Sequence, residues 1–226
     1  MAEFLLPFIL FIYVSLIAML AITGLFHFEK LLPVLDKGIK PVWDAAFPEL
    51  ISFPFGEMVL FLMFWKHTAD EKNTVTRITV MCYLFSGLSI MAVNMLTLTG
   101  LGHLAAILLI PFMQLTNLIN IGHFLERIDP LVALLLFSGV FFKLTAYYFG
   151  AMLGLQAMIK LPVKYIILLI GLIIYIGSLQ FKSYMEQVHI GFQLNLKYHF
   201  PLFQIVLPAL LLVVVAIRKK IKERAQ

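Results

Sequence analysis

The run Phe53-Pro54-Phe55-Gly56-Glu57 lies inside an apolar stretch from Ala45 to Trp65 and holds residues that lipid tolerates poorly. Proline removes a backbone donor and its ring clashes with the preceding turn, while glycine lets the chain leave helical geometry. Glu57, which is ionisable, follows at once. In hydrocarbon, non-helical backbone is stable only where protein packs it or where it lines a cavity. Secondary transporters use such breaks to aim half-helix ends at a substrate or an ion. Two readings stand side by side: a helix break at Pro54 and Gly56 that builds a site, or a plain proline kink with Glu57 in the first turn of a helix starting at Gly56.

Lys143 is the second residue of this kind. Asp129-Pro130 reads as a helix N-cap followed by Pro at the first helical position. From Asp129 the helix rises about 21 Å to Lys143, which places the ammonium deep in the hydrocarbon. A charge there costs a few kcal/mol even on lenient scales, so it must face protein or water. Gly139, Lys143, Tyr147, Gly150 and Gly154 follow at steps of three or four and form one stripe. Gly150 and Gly154 allow another helix to approach closely. Lys143 can hold a ligand carboxylate, an ion path or a Glu partner; the plainer reading is a structural charge satisfied by backbone carbonyls. Direct pairing with Glu57 is disfavoured by depth, since Glu57 lies about 14 Å above Lys66 and Lys143 about 25 Å above Lys160.

Other chemistry is absent from the pattern. The six histidines show no i,i+3 or i,i+4 pair on one helix, so no metal site is expected. Cys82 is the single cysteine and sits in an apolar run, so there is no disulfide framework. No phosphate-binding glycine loop, nucleophile elbow or Cys/His cluster occurs, and neither an enzyme nor a cofactor is indicated. Glu126 and Arg127 beside Asp129 read as an end-capping network. Gly87, Asn94 and Thr97 share a helix face, which suggests interhelical hydrogen bonds. Pro208 is expected to kink the last helix.

The elements that position these residues follow from composition. Hydrophobic residues make up 62% of the 226 and charged residues 13%, with a mean hydropathy of +0.99. Ordinary globular domains hold roughly 45–50% and 25%. Long apolar runs cover residues 4–28, 45–65, 78–101, 131–159, 165–181 and 201–217. Crossing about 30 Å of hydrocarbon takes around 20 helical residues. The absence of sustained alternation argues against strands. The fold class is therefore all-α, a single polytopic transmembrane helical bundle. The uncharged but polar stretch 103–122 reads either as a seventh span or as a surface hairpin; its Asn, Gln and Pro content favours the hairpin and six spans. Counting loop charges does not decide between them. Residues 29–44 and 182–200 read as amphipathic segments lying on the interface.

The net charge of +5 is not gathered into a nucleic-acid patch. Arg218, Lys219, Lys220, Lys222 and Arg224 directly follow an apolar run, as a cytoplasmic flank does. The stretch 4–28 is too long for the core of a cleaved signal and no Lys or Arg precedes it.

Several short blocks, in order, carry a resemblance. Leu31-Leu32-Pro33-Val34-Leu35, then Gly38-Ile39-Lys40-Pro41, then Phe53-Pro54-Phe55-Gly56-Glu57, resemble the B subunit of bacterial spore germinant receptors. Gly122 to Pro130, reading GHFLERIDP, is similar to that family's segment before its eighth span; Phe142-Lys143, Gly154-Leu155 and the basic tail fit the same pattern. The resemblance implies descent from amino acid–polyamine–organocation transporters, with ten spans in two inverted five-span repeats. The six spans here would be spans five to ten, and Pro54–Glu57 the discontinuous sixth span beside the substrate site.

What the resemblance implies for function is a membrane subunit of a nutrient germinant receptor. It would bind a small molecule, often an amino acid, and work with an A subunit and a C lipoprotein in the spore inner membrane or cell membrane. Phe55, Gly56 and Glu57 are expected to line the ligand site, with Lys143 and Tyr147 facing it from a neighbouring helix. Against the family pattern, the first four spans are missing. Residues 1–226 then represent part of a longer or frameshifted gene, or a short version that relies on another chain. An amino acid permease and a non-functional remnant are the alternatives.

Overall fold

The computed structural model describes residues 2–24, 26–47, 49–65, 72–119 and 128–224. In chain order these form α1 (Ala2–Ile22), a 3₁₀ turn (Phe28–Leu31), α2 (Lys40–Ala46), α3 (Glu49–Ser52), a 3₁₀ segment (Phe55–Phe61) and α4 (Leu62–Trp65). There follow α5 (Lys72–Leu101), a second 3₁₀ turn (Gly102–Ala106), α6 (Pro111–Asn117), α7 (Asp129–Met158) and α8 (Val163–Ser178). The last run comprises α9 (Tyr184–Ile190), two π-helical segments (Gly191–His199 and Pro201–Val206) and α10 (Leu207–Arg224). No strand occurs among the described residues, and the protein is an all-α transmembrane helical fold.

Four helical runs are long and apolar enough to cross a membrane: Phe4–Ile22, Asn73–Ala106, Asp129–Met158 and Tyr184–Glu223. A fifth arises if Lys40–Ala46 and Leu50–Trp65, bent by 43° to each other, count as one broken span. Only 0–11% of the four apolar windows is buried inside the chain. Leu, Phe and Val side chains so exposed would be costly in water and are at home against acyl chains. At α8, where a span over 165–181 was expected, the helix has 16 residues.

The chain divides into two compact units. The first holds residues 1–34 and 71–145. Its core is a cluster of Leu16 and Leu20 from α1, Leu115 and Ile119 at and just beyond α6, and Ile128 and Val132 at the start of α7. Leu16 and Leu20 are spaced by four and fall on one face of α1. The expected surface hairpin thus contributes Leu115 and Ile119 to a core, each at most 1% exposed. Residues 122–127 of the GHFLERIDP block, including Glu126 and Arg127, lie outside the described residues, as do 66–71.

Two local expectations are corrected in this unit. Asp129 is the first helical residue rather than the cap; the Ile128 carbonyl accepts from the N–H groups of Leu131 (2.9 Å) and Val132 (3.3 Å). Pro130 then stands second, where a missing N–H still costs no intrahelical bond. Asn94 and Thr97 of α5 bond to carbonyls of their own helix. Asn94 Nδ2 donates to Ile90 O (2.9 Å), and the Thr97 hydroxyl to Val93 O (2.7 Å). An i−4 carbonyl is always within reach of a short side chain, whereas a partner helix must be built to fit.

The second unit holds residues 35–70 and 146–226. Met152 on α7 packs with Ile166 and Ile170 on α8, and the Tyr148 hydroxyl donates to the Ile167 carbonyl. Ser183 caps α9 by accepting from Glu186 N–H (3.2 Å), while the Glu186 carboxylate accepts from Lys182 N–H (2.7 Å). This is a capping-box arrangement that starts the final helical run firmly.

Residues 182–200, expected to lie on the interface as a separate piece, are instead helical from Tyr184 onward and continue into the last apolar run. Pro201 is a physical reason for the winding of the turn just before it. Its ring clashes with an i−4 carbonyl and it has no N–H, so a standard α-turn cannot close there. A wider turn keeps the run helical. Accordingly Phe200 N–H bonds to Asn195 O and Leu207 N–H to Leu202 O, each five residues back. Pro208 stands in the first turn of α10, and its i−4 residue, Gln204, lies in the second π-helical segment, the turn a proline disrupts.

Candidate functional site

The interruption around Pro54 takes two forms. The 43° bend falls earlier, between Ala46 and Leu50. At Phe53–Pro54 the α-helical bonding stops in a turn, and the chain resumes as seven residues of 3₁₀ helix from Phe55 to Phe61. A 3₁₀ run of that length is uncommon because its hydrogen bonds are poorer than those of an α-helix. Pro54 supplies the reason, since it takes away the donor for an i−4 bond and crowds the turn before it.

Gly56 allows close packing at this point. A β-carbon there would collide with the Gln204 side-chain oxygen and lie 2.8 Å from the Ile51 carbonyl oxygen. Gly150 and Gly154 on α7 play the same part against the downstream half of the segment. A β-carbon at Gly150 would collide with Leu60 Cδ1, and one at Gly154 would lie 3.6 Å from Met63 Cε. Phe64 stacks on Phe149 with ring centroids 5.6 Å apart. Gly150 and Gly154 of α7 therefore face the 3₁₀ segment and α4.

Between the 3₁₀ segment, α7 and the π-helical run lies a cavity of about 400 Å³, built wholly from the second unit. Glu57, Val59 and Leu60 line it from the 3₁₀ segment and Tyr147 from α7. Asn195, His199, Phe200, Phe203 and Gln204 line it from the π-helical run. The Tyr147 hydroxyl and the Glu57 carboxylate share a hydrogen bond. A bond of this kind fixes the direction of the Glu57 carboxyl group. His199 Nδ1 and Asn195 Oδ1 lie 3.1 Å apart, one turn from each other.

Of the residues singled out in sequence, Glu57 and Tyr147 come together in this cavity. Phe55 and Gly56 stand at the start of the 3₁₀ segment, Gly56 serving close packing rather than the lining. Lys143 is an exposed residue one turn before Tyr147, on the part of α7 that belongs to the first unit.

Sequence reasoning missed Asn195, His199 and Gln204. Their spacing of four and then five carries a signal, because the step of five matches a π-helix rather than an α-helix, and Pro201 between them disfavours an α-turn. The cavity combines one carboxylate, a phenol, two amides and an imidazole with aromatic walls. That set suits a small polar organic molecule held by a few directed hydrogen bonds, and its volume is within the usual range for such sites. No group of three or more His, Cys, Asp or Glu side chains occurs among the described residues to hold a metal ion.

Residues 1–186 match the family described as spore germination protein. Spore germination protein KB of Bacillus subtilis (strain 168) is 29% identical over 217 residues, covering 93% of this chain and 57% of that protein. The chain thus spans little more than half the length of that relative. No solved structure matches it. With its apolar spans and the match over most of its length, the chain is a multi-pass integral membrane protein that belongs to the spore germination protein family.

Proposed function

We propose that the chain is the membrane-embedded sensing part of a nutrient germinant receptor, a receptor and not an enzyme, and that the cavity at Glu57 takes the germinant. The observation that carries this reading is the convergence of Glu57 and Tyr147 with the polar row of the π-helical run in one small cavity, inside a chain of the germination family. The ligand class it suits is a small amino acid. An ammonium group would meet the Glu57 carboxylate, and side-chain amides would meet the carboxylate end. Lys143, one turn away on α7, would bias the approach of an anionic group.

Binding here would favour one arrangement of the 3₁₀ segment and the π-helical run. A ligand shifts a conformational equilibrium only by its differential affinity for the two states, and two unusually wound elements around one cavity are suited to having two states. That bias would be passed to an A subunit and a C lipoprotein in the spore inner membrane, with the basic tail of the chain on the cytoplasmic side. In this reading the chain corresponds to the later half of an inverted-repeat transporter fold.

The test is germination of spores carrying Glu57→Gln or Lys143→Met, challenged with common L-amino acids one at a time and followed by loss of refractility. A raised germinant requirement in Glu57→Gln supports the reading; unchanged responses in both variants would overturn it. Uptake of labelled amino acid into vesicles containing the protein, with no effect on spore response, would assign a permease instead.

A further inference from the structure

The contacts within the second unit fix the direction of its elements. α8 runs back along α7, since Met152 packs with Ile166 and Ile170 and the Tyr148 hydroxyl donates to the Ile167 carbonyl. Residues 55–65 run forward with α7: Glu57 meets Tyr147, Leu60 meets Gly150 and Met63 meets Gly154. The final run goes the same way, with α3 against its first π-helical segment and the 3₁₀ segment against its second. Trp65, the turn between α7 and α8, and the C-terminus of α10 therefore lie at one end of the unit.

That end is basic. Lys160 and Lys164 flank the turn, and five Lys and Arg residues stand between Arg218 and Arg224. Glu223 is the one acidic residue of these stretches, and it pairs with Lys219 (3.8 Å). Toward the opposite end, residues 35–52 and 182–199 hold four lysines and four acidic residues, an even balance.

Depth decides what the cations meet. Gln204 stands at the middle of the 40-residue run Tyr184–Glu223, beside the cavity. From Gln204 the chain advances about 22 Å to Lys219, and from Tyr147 about 20 Å to Lys160. The hydrocarbon core is about 30 Å thick and the bilayer with its headgroups about 40–45 Å, so both clusters reach the headgroup layer. Trp65 and Tyr165, both exposed, stand at the same end, as aromatic side chains do at a membrane surface. Lys164 Nζ lies 5.0 Å from the centre of the Tyr165 ring, which holds the ammonium at that level.

We propose that this end of the second unit is a docking face for anionic phospholipid headgroups, whose phosphates meet the Lys160–Lys164 turn and the basic end of α10. Each Lys or Arg beside a membrane surface favours acidic lipid by about fivefold. The balanced end of the unit has no such preference. The face is independent of what the cavity takes.

The test uses the full chain in detergent, with bound lipid counted by native mass spectrometry. Phosphatidylglycerol and phosphatidylcholine with the same acyl chains are titrated separately. Phosphatidylglycerol binds about tenfold tighter in the parent. Lys160→Gln with Lys164→Gln, or Lys220→Gln with Lys222→Gln, lowers that preference about fivefold, while Lys160→Arg with Lys164→Arg keeps it. Lys37→Gln with Lys40→Gln, toward the other end, leaves it unchanged. Each of the three glutamine pairs removes two charges, so net charge alone would move all three alike.

Equal affinity for the two lipids overturns the proposal. So does a loss in the Lys37/Lys40 pair as large as in the other two. Displacement of bound phosphatidylglycerol by sn-glycerol 1-phosphate at a similar concentration also overturns it, because the face would then serve a soluble anion.

Discussion

The two units of the molecule treat polar groups differently. In the first, buried Thr97, Thr99 and Thr116 each donate to a carbonyl of their own helix, three or four residues back. The core they border is a close cluster of Leu, Ile and Val. In the second unit the buried Ser52 and Gln204 oxygens have no such partner, the helices depart from α geometry in both directions, and a cavity opens between them. Local, self-satisfied polarity makes a rigid support. The unmet oxygens and the cavity fall in the same unit.

Substitutions that blur this contrast rank by size. Gly56→Val has the largest expected effect, because its side chain cannot fit between Gln204 and the Ile51 carbonyl. Overpacking there should cost about 3 kcal/mol and abolish ligand binding, read by thermal unfolding and ligand titration in nanodiscs. In the first unit, Leu16→Ala removes a fully buried side chain. It should lower stability by about 2–3 kcal/mol while leaving ligand affinity within twofold.

Tyr147→Phe takes the hydroxyl from Glu57. Ligand affinity should fall about tenfold with little change in unfolding temperature, since the lost bond orients a carboxylate and holds no core together. Thr97→Val should be the mildest. Its hydroxyl bonds only within α5, and the change should stay within about 0.5 kcal/mol in stability with no effect on ligand. A large ligand effect from Thr97→Val, or none from Tyr147→Phe, would erase the division between support and site.

The sequence showed some of this arrangement and hid the rest for physical reasons. Pro54, Gly56 and Glu57 are legible because proline, glycine and a carboxylate inside an apolar run each violate a rule of the lipid interior. Tyr147 is legible from its place on the glycine stripe of α7. The all-α membrane fold follows from composition and run length alone. Gln204 was not found with Asn195 and His199, because helix faces are read at a spacing of three to four and Gln204, five beyond His199, joins that face only when the turn is wider. Pro201 and Pro208 each disfavour an α-turn over the four residues before them, inside a stretch that by itself looks like an interfacial loop. Asn94 and Thr97, for which bonds to another helix were expected, bond to their own helix, where a local carbonyl is always within reach.

Binding of common L-amino acids to the chain in lipid nanodiscs, compared between the parent and Glu57→Gln, tests the central claim most directly. The account predicts saturable binding of at least one amino acid, weakened about tenfold or more by Glu57→Gln with the unfolding temperature retained. Equal affinity in the two proteins would contradict it.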